Sequence, residues 1–454
     1  MTSSPRSANP GFTEGAMSRH MIRLSGFMIM GFLTMTGAQL IEAVYLGLVG
    51  SDELAAAAFT FPVIMAFNAT TRGIGIGTGA VLARSIGEGD RDKAVRLTSH
   101  GLLLTFAFTV FCAALLIWQS NALLSLLGAS GHILQLSTAY IVIWSLGFPS
   151  FGMSMVGAGL MRSIGDPAFP GYVMTTGSVV QVLVAPPLIF GWFGLSPMGI
   201  EGAAWSFVIA RGASFLMTAW WFLKKENIIR WNLTRLRSSA RDILHVGVPA
   251  GATNLIQPLS IAVTTRILAD LDTSIVAGFG VATRIDAVIT MVVIGISASA
   301  GPLVGQNWGA QLHDRVDEAL RLGYRYCLAW GLIAAVIMWL AGEFFVRLVT
   351  DDPALVRTAT LYLYIVPISL GFMGMVNVAN ASFNALSKPT PPLVLSLARL
   401  LVVYVPMAIV ANNLFGYVGV FTTIAIVNVI FGIAGWWWNK QTIATLRSRK
   451  LGSE

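Results

Sequence analysis

The chain has 454 residues, a formal net charge of +8, and 55% hydrophobic against 11% charged residues. A soluble domain carries about 25% charged residues, so this chain has too little polar surface to cover itself in water, and soluble-enzyme classes are excluded. The basic balance belongs with the loops of a polytopic membrane protein and not with nucleic acid.

Residues 1–20 are polar and Ser-rich and read as a disordered tail. The apolar run from Met21 to Leu48 is too long for a signal-peptide core and has no small-x-small cleavage site. A bilayer crossing takes about 20 apolar residues. Runs of that kind predict helices at 21–48, 52–81, 94–119, 131–162, 168–193, 198–223, 241–268, 273–303, 316–341, 353–386, 392–413 and 417–441. Ten-residue units of alternating hydrophobicity are absent, which excludes a β-barrel. With the N-terminus inside, the inner segments hold 22 of the 29 basic residues, and the outer ones hold only Arg347 and Arg357 beside seven acids. Such asymmetry would collapse if an early helix were miscounted, so the count is even and both termini are cytoplasmic.

The longest inner loop, 224–240, separates six helices from six, giving an N-lobe at 21–223, a C-lobe at 241–441 and a cytoplasmic tail at 442–454. One offset, 309 − 87 = 222, superposes Gly79 on Gly301, Gly87 on Gly309, Asp92 on Asp314, Gly101 on Gly323, Gly152 on Gly374, Met153 on Met375 and Pro167 on Pro389 without a gap. The expected fold is an all-α polytopic membrane protein with twelve transmembrane helices in two pseudo-twofold-related six-helix bundles. Because each repeat has an even number of spans, the axis runs along the membrane normal, an arrangement suited to alternating access.

No G-x-x-x-x-G-K-[ST] is present, so the chain does not hydrolyse ATP. Gly75 to Ala80 matches the loose G-x-G-x-x-[GA] pattern but lies inside an apolar span. There Gly73, Gly75, Gly77 and Gly79 are better read as small-residue helix contacts. The five histidines form no HExxH, and no intramembrane Ser–His pair or aspartate pair stands out, so an enzyme is not expected. Cys112 and Cys327 lie in apolar runs and read as small core side chains.

The segments Leu40 to Gly50 with Glu53 to Ala57, Ala83 to Asp90, Gly159 to Pro167, Gly199 to Ala204 and Val304 to Ala310 (Val-Gly-Gln-Asn-Trp-Gly-Ala) together resemble, in order and spacing, the multidrug and toxic compound extrusion (MATE) family. The resemblance covers both halves. It implies a twelve-helix exporter with N and C lobes that exchanges organic compounds for protons or sodium ions. At the family's first-helix aspartate this chain has Glu42. The Asn and Asp four residues apart on the fifth helix correspond to Gln181 and Ala185. The acids of the seventh and tenth helices correspond to Gln257 and Met373.

Glu42 lies about six residues from the outer end of its helix, where a charged carboxylate costs up to ~2.5–3.5 kcal/mol unless it faces a wet interior, and it is the expected ion-coupling residue. Asp286 and Arg284 lie within the eighth helix. At i and i+2 they point to different faces and should not pair. With Gln181, Asn68, Gln257, Asn377 and Asn380 they are the cavity or substrate candidates. Arg72, Arg211 and Arg399 fall toward inner helix ends and are expected to snorkel, as is Arg266 at an outer end. Pro249, Pro258 and Pro367 interrupt predicted helices. The expected protein is a monomeric multi-pass antiporter of the cell inner (plasma) membrane. It exports organic, drug-like or cationic compounds against protons or sodium ions and needs no cofactor and no metal. Its partners are the lipid bilayer, the substrate and the coupling cation. A flippase for lipid-linked precursors from the same superfamily and a non-transporting receptor remain as alternatives.

Overall fold

The structure, a computed structural model, describes residues 11–230 and 232–451. Its regular elements, among the described residues, are helices: α1 Met17–Val49, α2 Ser51–Gly87, α3 Arg91–Leu126, α4 Gly131–Ile164, α5 Phe169–Phe190, α6 Gly199–Trp220, α7 Leu236–Ala269, α8 Thr273–Gly309, α9 His313–Arg347, α10 Pro353–Ile365, α11 Leu370–Ala385, α12 Thr390–Leu397 and α13 Val405–Leu451. Short polar side chains start several of them. Asp90 accepts from the Lys93 amide at 2.9 Å, Asp272 from Ser274 at 2.7 Å, and Asp352 from Ala354 at 2.8 Å, which satisfies amides that a helix start leaves unpaired. Leu332 and Leu340 on α9 and Leu401 and Val402 after α12 are exposed, the apolar outer surface a bilayer requires.

Among the described residues, eleven helical segments are long and apolar enough to cross a membrane, against the twelve expected. The difference lies at the end of the chain. The predicted helices 392–413 and 417–441 form one helical run, Thr390–Ser448, of 59 residues. At 1.5 Å per residue a straight run of that length is about 90 Å, three times the hydrocarbon thickness. It is not straight. Gly416 has φ 60° and ψ −147°, and a Cβ on Gly419 would meet the Ala411 carbonyl oxygen at 2.3 Å. Residues eight apart in a straight helix are about 12 Å apart, so the chain doubles back at Gly416. No polar loop marks the reversal, only Leu414, Phe415, Gly416 and Tyr417. The predicted helix 353–386 is likewise interrupted, by a 3₁₀ turn at Val366–Ser369 around Pro367. Residues 1–10 of the expected tail lie outside the described residues. Phe12 and Met17 of its remainder are buried, and the Phe12 amide donates to Gln306 Oε1 at 2.7 Å. The expected tail 442–454 continues α13 as far as Leu451.

The chain divides into two compact units, one built on residues 30–251 and the other on residues 12–29 and 252–451. The boundaries therefore fall inside α1 and α7 and not in the loop 224–240. In the first unit a Cβ on Gly73 would lie 2.5 Å from the Gly247 carbonyl oxygen and 2.7 Å from Gly251 Cα, and one on Gly77 only 2.2 Å from the Ile243 carbonyl oxygen. Backbone-to-backbone approach of this kind needs residues without a Cβ, and it ties the start of α7 to α2. In the second unit Gly295 faces Ile29 and the Ser25 carbonyl, and Ser25 Oγ hydrogen-bonds Ser299 Oγ at 3.0 Å, which ties the start of α1 to α8. These contacts are equivalent under the repeat: 73 + 222 = 295, 77 + 222 = 299, 25 + 222 = 247 and 29 + 222 = 251. The starts of α2 and α8, of α3 and α9, and of α4 and α10 are also 222 residues apart. The duplication read from the sequence thus extends to individual contacts.

Candidate functional site

Glu42 on α1 is held by three helices of the first unit. The Tyr140 hydroxyl on α4 donates to Glu42 Oε1 at 3.1 Å, and Gln181 Nε2 on α5 donates to Oε2 at 2.5 Å. Behind Gln181, Arg211 on α6 donates from Nη2 to Gln181 Oε1 at 2.7 Å. Gln181 and Arg211 are 4% and 6% exposed, so this is a buried relay from a guanidinium through an amide to a carboxylate. The sequence makes room for it. A Cβ on Gly177, one turn before Gln181, would stand 2.2 Å from Ser214 Oγ and 3.3 Å from Arg211 Nη1, so the missing side chain lets α6 come close enough for Arg211 to reach α5. The guanidinium carbon lies 5.5 Å from the Phe151 ring centroid and 5.2 Å from that of Phe207, whose faces attract a desolvated cation.

Ala185, one turn beyond Gln181, is buried and supplies no second carboxylate. Glu42 therefore has two hydrogen-bond donors on its oxygens and a fixed positive charge one amide away. Such a group can hold a charge without a salt bridge, and it can take up a proton.

Of the sequence candidates, the structure joins Glu42 and Gln181 and leaves the others outside this cluster. Asn68 on α2 is half-buried with an unpartnered Oδ1. Asp286 on α8 accepts from Thr290 Oγ1 at 3.3 Å and, among the described residues, makes no ion pair with Arg284, as their spacing requires. Arg284 and Gln257 are exposed, Asn377 and Asn380 half-buried, and Asn380 Oδ1 has no partner. Arg72 is exposed, and Arg266 pairs with Asp270 at 3.2 Å.

Two snorkelling expectations are corrected. Arg211 is buried in the Glu42 cluster, and Arg399 donates to Asn428 Oδ1 at 2.6 Å, whose amide in turn donates to Ser369 Oγ at 2.8 Å. Arg211 is the thirteenth residue of the 22-residue α6, too deep for its side chain to reach an interface. Sequence reasoning also missed Tyr140. The depth of Arg211 within a short helix was the available signal; a lone intramembrane tyrosine gave none.

The comparisons with known proteins agree with this architecture. A family model described as MatE matches residues 28–186 and again residues 249–410. The chain belongs to the MATE family. The two matches start 249 − 28 = 221 residues apart, which is the duplication seen within this MATE chain. The MATE chain is 30% identical over 93% of its length, and 94% of the relative's, to a protein of Shewanella oneidensis named FAD transporter. It is 23% identical to the probable multidrug resistance protein YoeA of Bacillus subtilis, over 87% of this chain and 89% of that one. Among solved structures it is similar to the Vibrio cholerae MATE transporter VcmN in the bent form, with a TM-score of 0.89 and 26% identity over 94% of this chain and 97% of that one. The chain is thus a multi-pass membrane protein of a multidrug and toxic compound exporter family, a family of transporters and not of enzymes.

Proposed function

We propose that this protein is a proton-coupled antiporter that exports organic compounds across the cell inner membrane by alternating access, with both termini in the cytoplasm. In this reading the Thr390–Ser448 run crosses twice through its reversal at Gly416, giving twelve crossings in two six-helix halves. The observation that carries the coupling is the Glu42 cluster. It has one carboxylate with two neutral donors and no second acid at Ala185. A proton needs a single lone pair, whereas a sodium ion needs several oxygen ligands. Uptake of a proton from outside neutralises Glu42, the donors of Tyr140 and Gln181 lose their charged partner, and the helices around them repack to release substrate outward. Deprotonation to the inside resets the site. Asp286, Arg284, Asn68, Gln257, Asn377 and Asn380 are retained as candidates for contacting substrate.

A second reading concerns the substrate. The 30% identity to an FAD transporter, together with the exposed intrahelical Arg72 and Arg284, favours an anionic flavin dinucleotide over the cationic drugs expected first. Efflux from proteoliposomes under an imposed proton or sodium gradient, with FAD and a cationic dye loaded separately, tests both. Proton-driven export supports the coupling, and sodium-driven export indifferent to protons overturns it. Export of FAD and not the dye selects the second reading.

A further inference from the structure

We propose that Arg211 is the positioning residue that tunes how readily Glu42 takes up a proton and decides which of its two oxygens takes it; this rests on Glu42 as the coupling acid. A guanidinium has donors and no acceptor, so the end of the Gln181 amide that faces Arg211 Nη2 at 2.7 Å is its oxygen. The other end, 2.5 Å from Glu42 Oε2, is then the NH₂ group. The ionised Glu42 carboxylate, an acceptor only, selects the same orientation, but only Arg211 still imposes it once Glu42 is protonated. An NH₂ group cannot accept, so Oε2 stays unprotonated in both states. The proton goes to Oε1, where the partner is a hydroxyl, and a hydroxyl both donates and accepts. On protonation the Oε1–H bond forms, and Tyr140 turns from donor to acceptor of the 3.1 Å hydrogen bond. The proton comes from the outside water, where an O–H bond of the hydrated proton breaks, and the Tyr140 hydroxyl hydrogen leaves Oε1; no other covalent bond changes.

The same contact bears on ion choice. Beside the Tyr140 hydroxyl at 3.1 Å, the next neutral side-chain oxygen of the cluster is the Gln181 carbonyl, and Arg211 occupies it. A metal cation would lose that ligand and meet the guanidinium charge as well. Among the described residues, the side chains bonded to Glu42 are Tyr140 from α4 and Gln181 from α5, and Arg211 from α6 stands behind Gln181. Phe151 and Phe207 present their ring faces to the guanidinium, which favours the cation in this buried position.

The test compares the wild-type protein with Arg211→Met, Arg211→Lys, Gln181→Met and Glu42→Gln in proteoliposomes. It measures the pH at half-maximal proton-driven efflux and, by infrared difference spectroscopy, the titration of the carboxyl band that Glu42→Gln removes. Removing an opposite charge at this range favours the protonated acid by about one unit or more. The midpoint in Arg211→Met should therefore move at least about one unit to higher pH, a tenfold gain in proton affinity. Gln181→Met should move it in the same direction, because it breaks the relay while keeping the guanidinium. Arg211→Lys should fall between, since an ammonium restores the charge without the planar fork. A band that titrates in the wild type but keeps its midpoint in Arg211→Met or in Gln181→Met overturns the role of Arg211 and leaves Glu42 as the coupling acid. Absence of any Glu42-dependent titration overturns both.

Discussion

The loop between α4 and α5 allows a quantitative test of how one end of the first unit is held together. Asp166 accepts from the Ala168 and Phe169 amides, both at 3.0 Å, at the start of α5. Its other oxygen accepts from Trp221 Nε1 at 3.2 Å and Lys225 Nζ at 2.8 Å beyond α6. Replacing Asp166 with Ala removes a cap worth about 1 kcal/mol. It also leaves the fully buried Trp221 N–H without a partner, which costs about 1–3 kcal/mol. Lys225 is 43% exposed, so its ion pair adds at most about 1 kcal/mol. The expected loss is about 2–4 kcal/mol, read as a lower midpoint in thermal unfolding of the purified protein in detergent. Asp166→Asn keeps an acceptor and should lose about half as much. The repeat-equivalent position, 166 + 222 = 388, is the exposed Lys388, and Lys388→Ala should stay within about 0.5 kcal/mol of wild type. Burial works against the Asp166 charge, but hydrogen bonds from Lys225 and from the Phe169 and Ala168 amides hold its pKa below the ordinary value of 3.8. A depressed pKa contributes stability that is present above the unfolded value of about 3.9 and lost as pH falls through the folded value. Wild type should therefore lose this increment below about pH 4, and Asp166→Asn should not. An unchanged midpoint for Asp166→Ala, or an Asn variant as unstable as the Ala one, refutes the reasoning.

Glu42→Gln should abolish proton-driven efflux while the protein still inserts, because it mimics the neutral state permanently. Glu42→Asp should retain partial activity; normal export by the Gln variant contradicts the coupling role. Gly77→Val places a side chain 2.2 Å from the Ile243 carbonyl oxygen, and since backbone must move, a loss of at least about 1–3 kcal/mol is expected in the same unfolding assay. Gly301→Ala is the control. A Cβ there meets nothing within 4 Å, so the change should be neutral or stabilising by up to about 1 kcal/mol. Equal effects of the two substitutions would remove the argument from close approach.

Much of the architecture was legible because membrane helices announce themselves by length and hydrophobicity. The starts of α2, α4 and α8 fall within a residue of their expected positions. The break expected between 413 and 417 contains the reversal at Gly416, although helical hydrogen bonding continues almost unbroken around it. Burial of Phe12 was not legible, because it depends on Gln306, nearly 300 residues away. Glu42 and Gln181 were singled out through charge, depth and motif, and the structure places them in contact. Arg211 was misplaced because a long side chain near an assumed inner boundary reads as snorkelling. Its true partner, the Gln181 carbonyl, is set by the Gly177 approach of α5 to α6, which no local pattern states.

The duplication also shows where the two halves have diverged. Glu42 corresponds to Thr264 (42 + 222), and Tyr140 to Tyr362 (140 + 222). Thr264 hydrogen-bonds Tyr404 at 2.5 Å, on the segment that matches α5, one residue beyond the equivalent of Gln181. The second half has thus kept the tyrosine and replaced the carboxylate–amide pair with two hydroxyls. Arg211 corresponds to Ile433, so the cation was lost together with the acid it faces. A hydroxyl pair carries no charge to move, which leaves the pseudosymmetric position in the second unit unable to respond to protons. The acid of that unit is instead Asp286 on α8, whose equivalent in the first unit is Ile64. The repeat therefore provides its own control for the Glu42 cluster. The same helices meet at the same positions in both halves, and only the first half places a carboxylate that a proton can alter at this position.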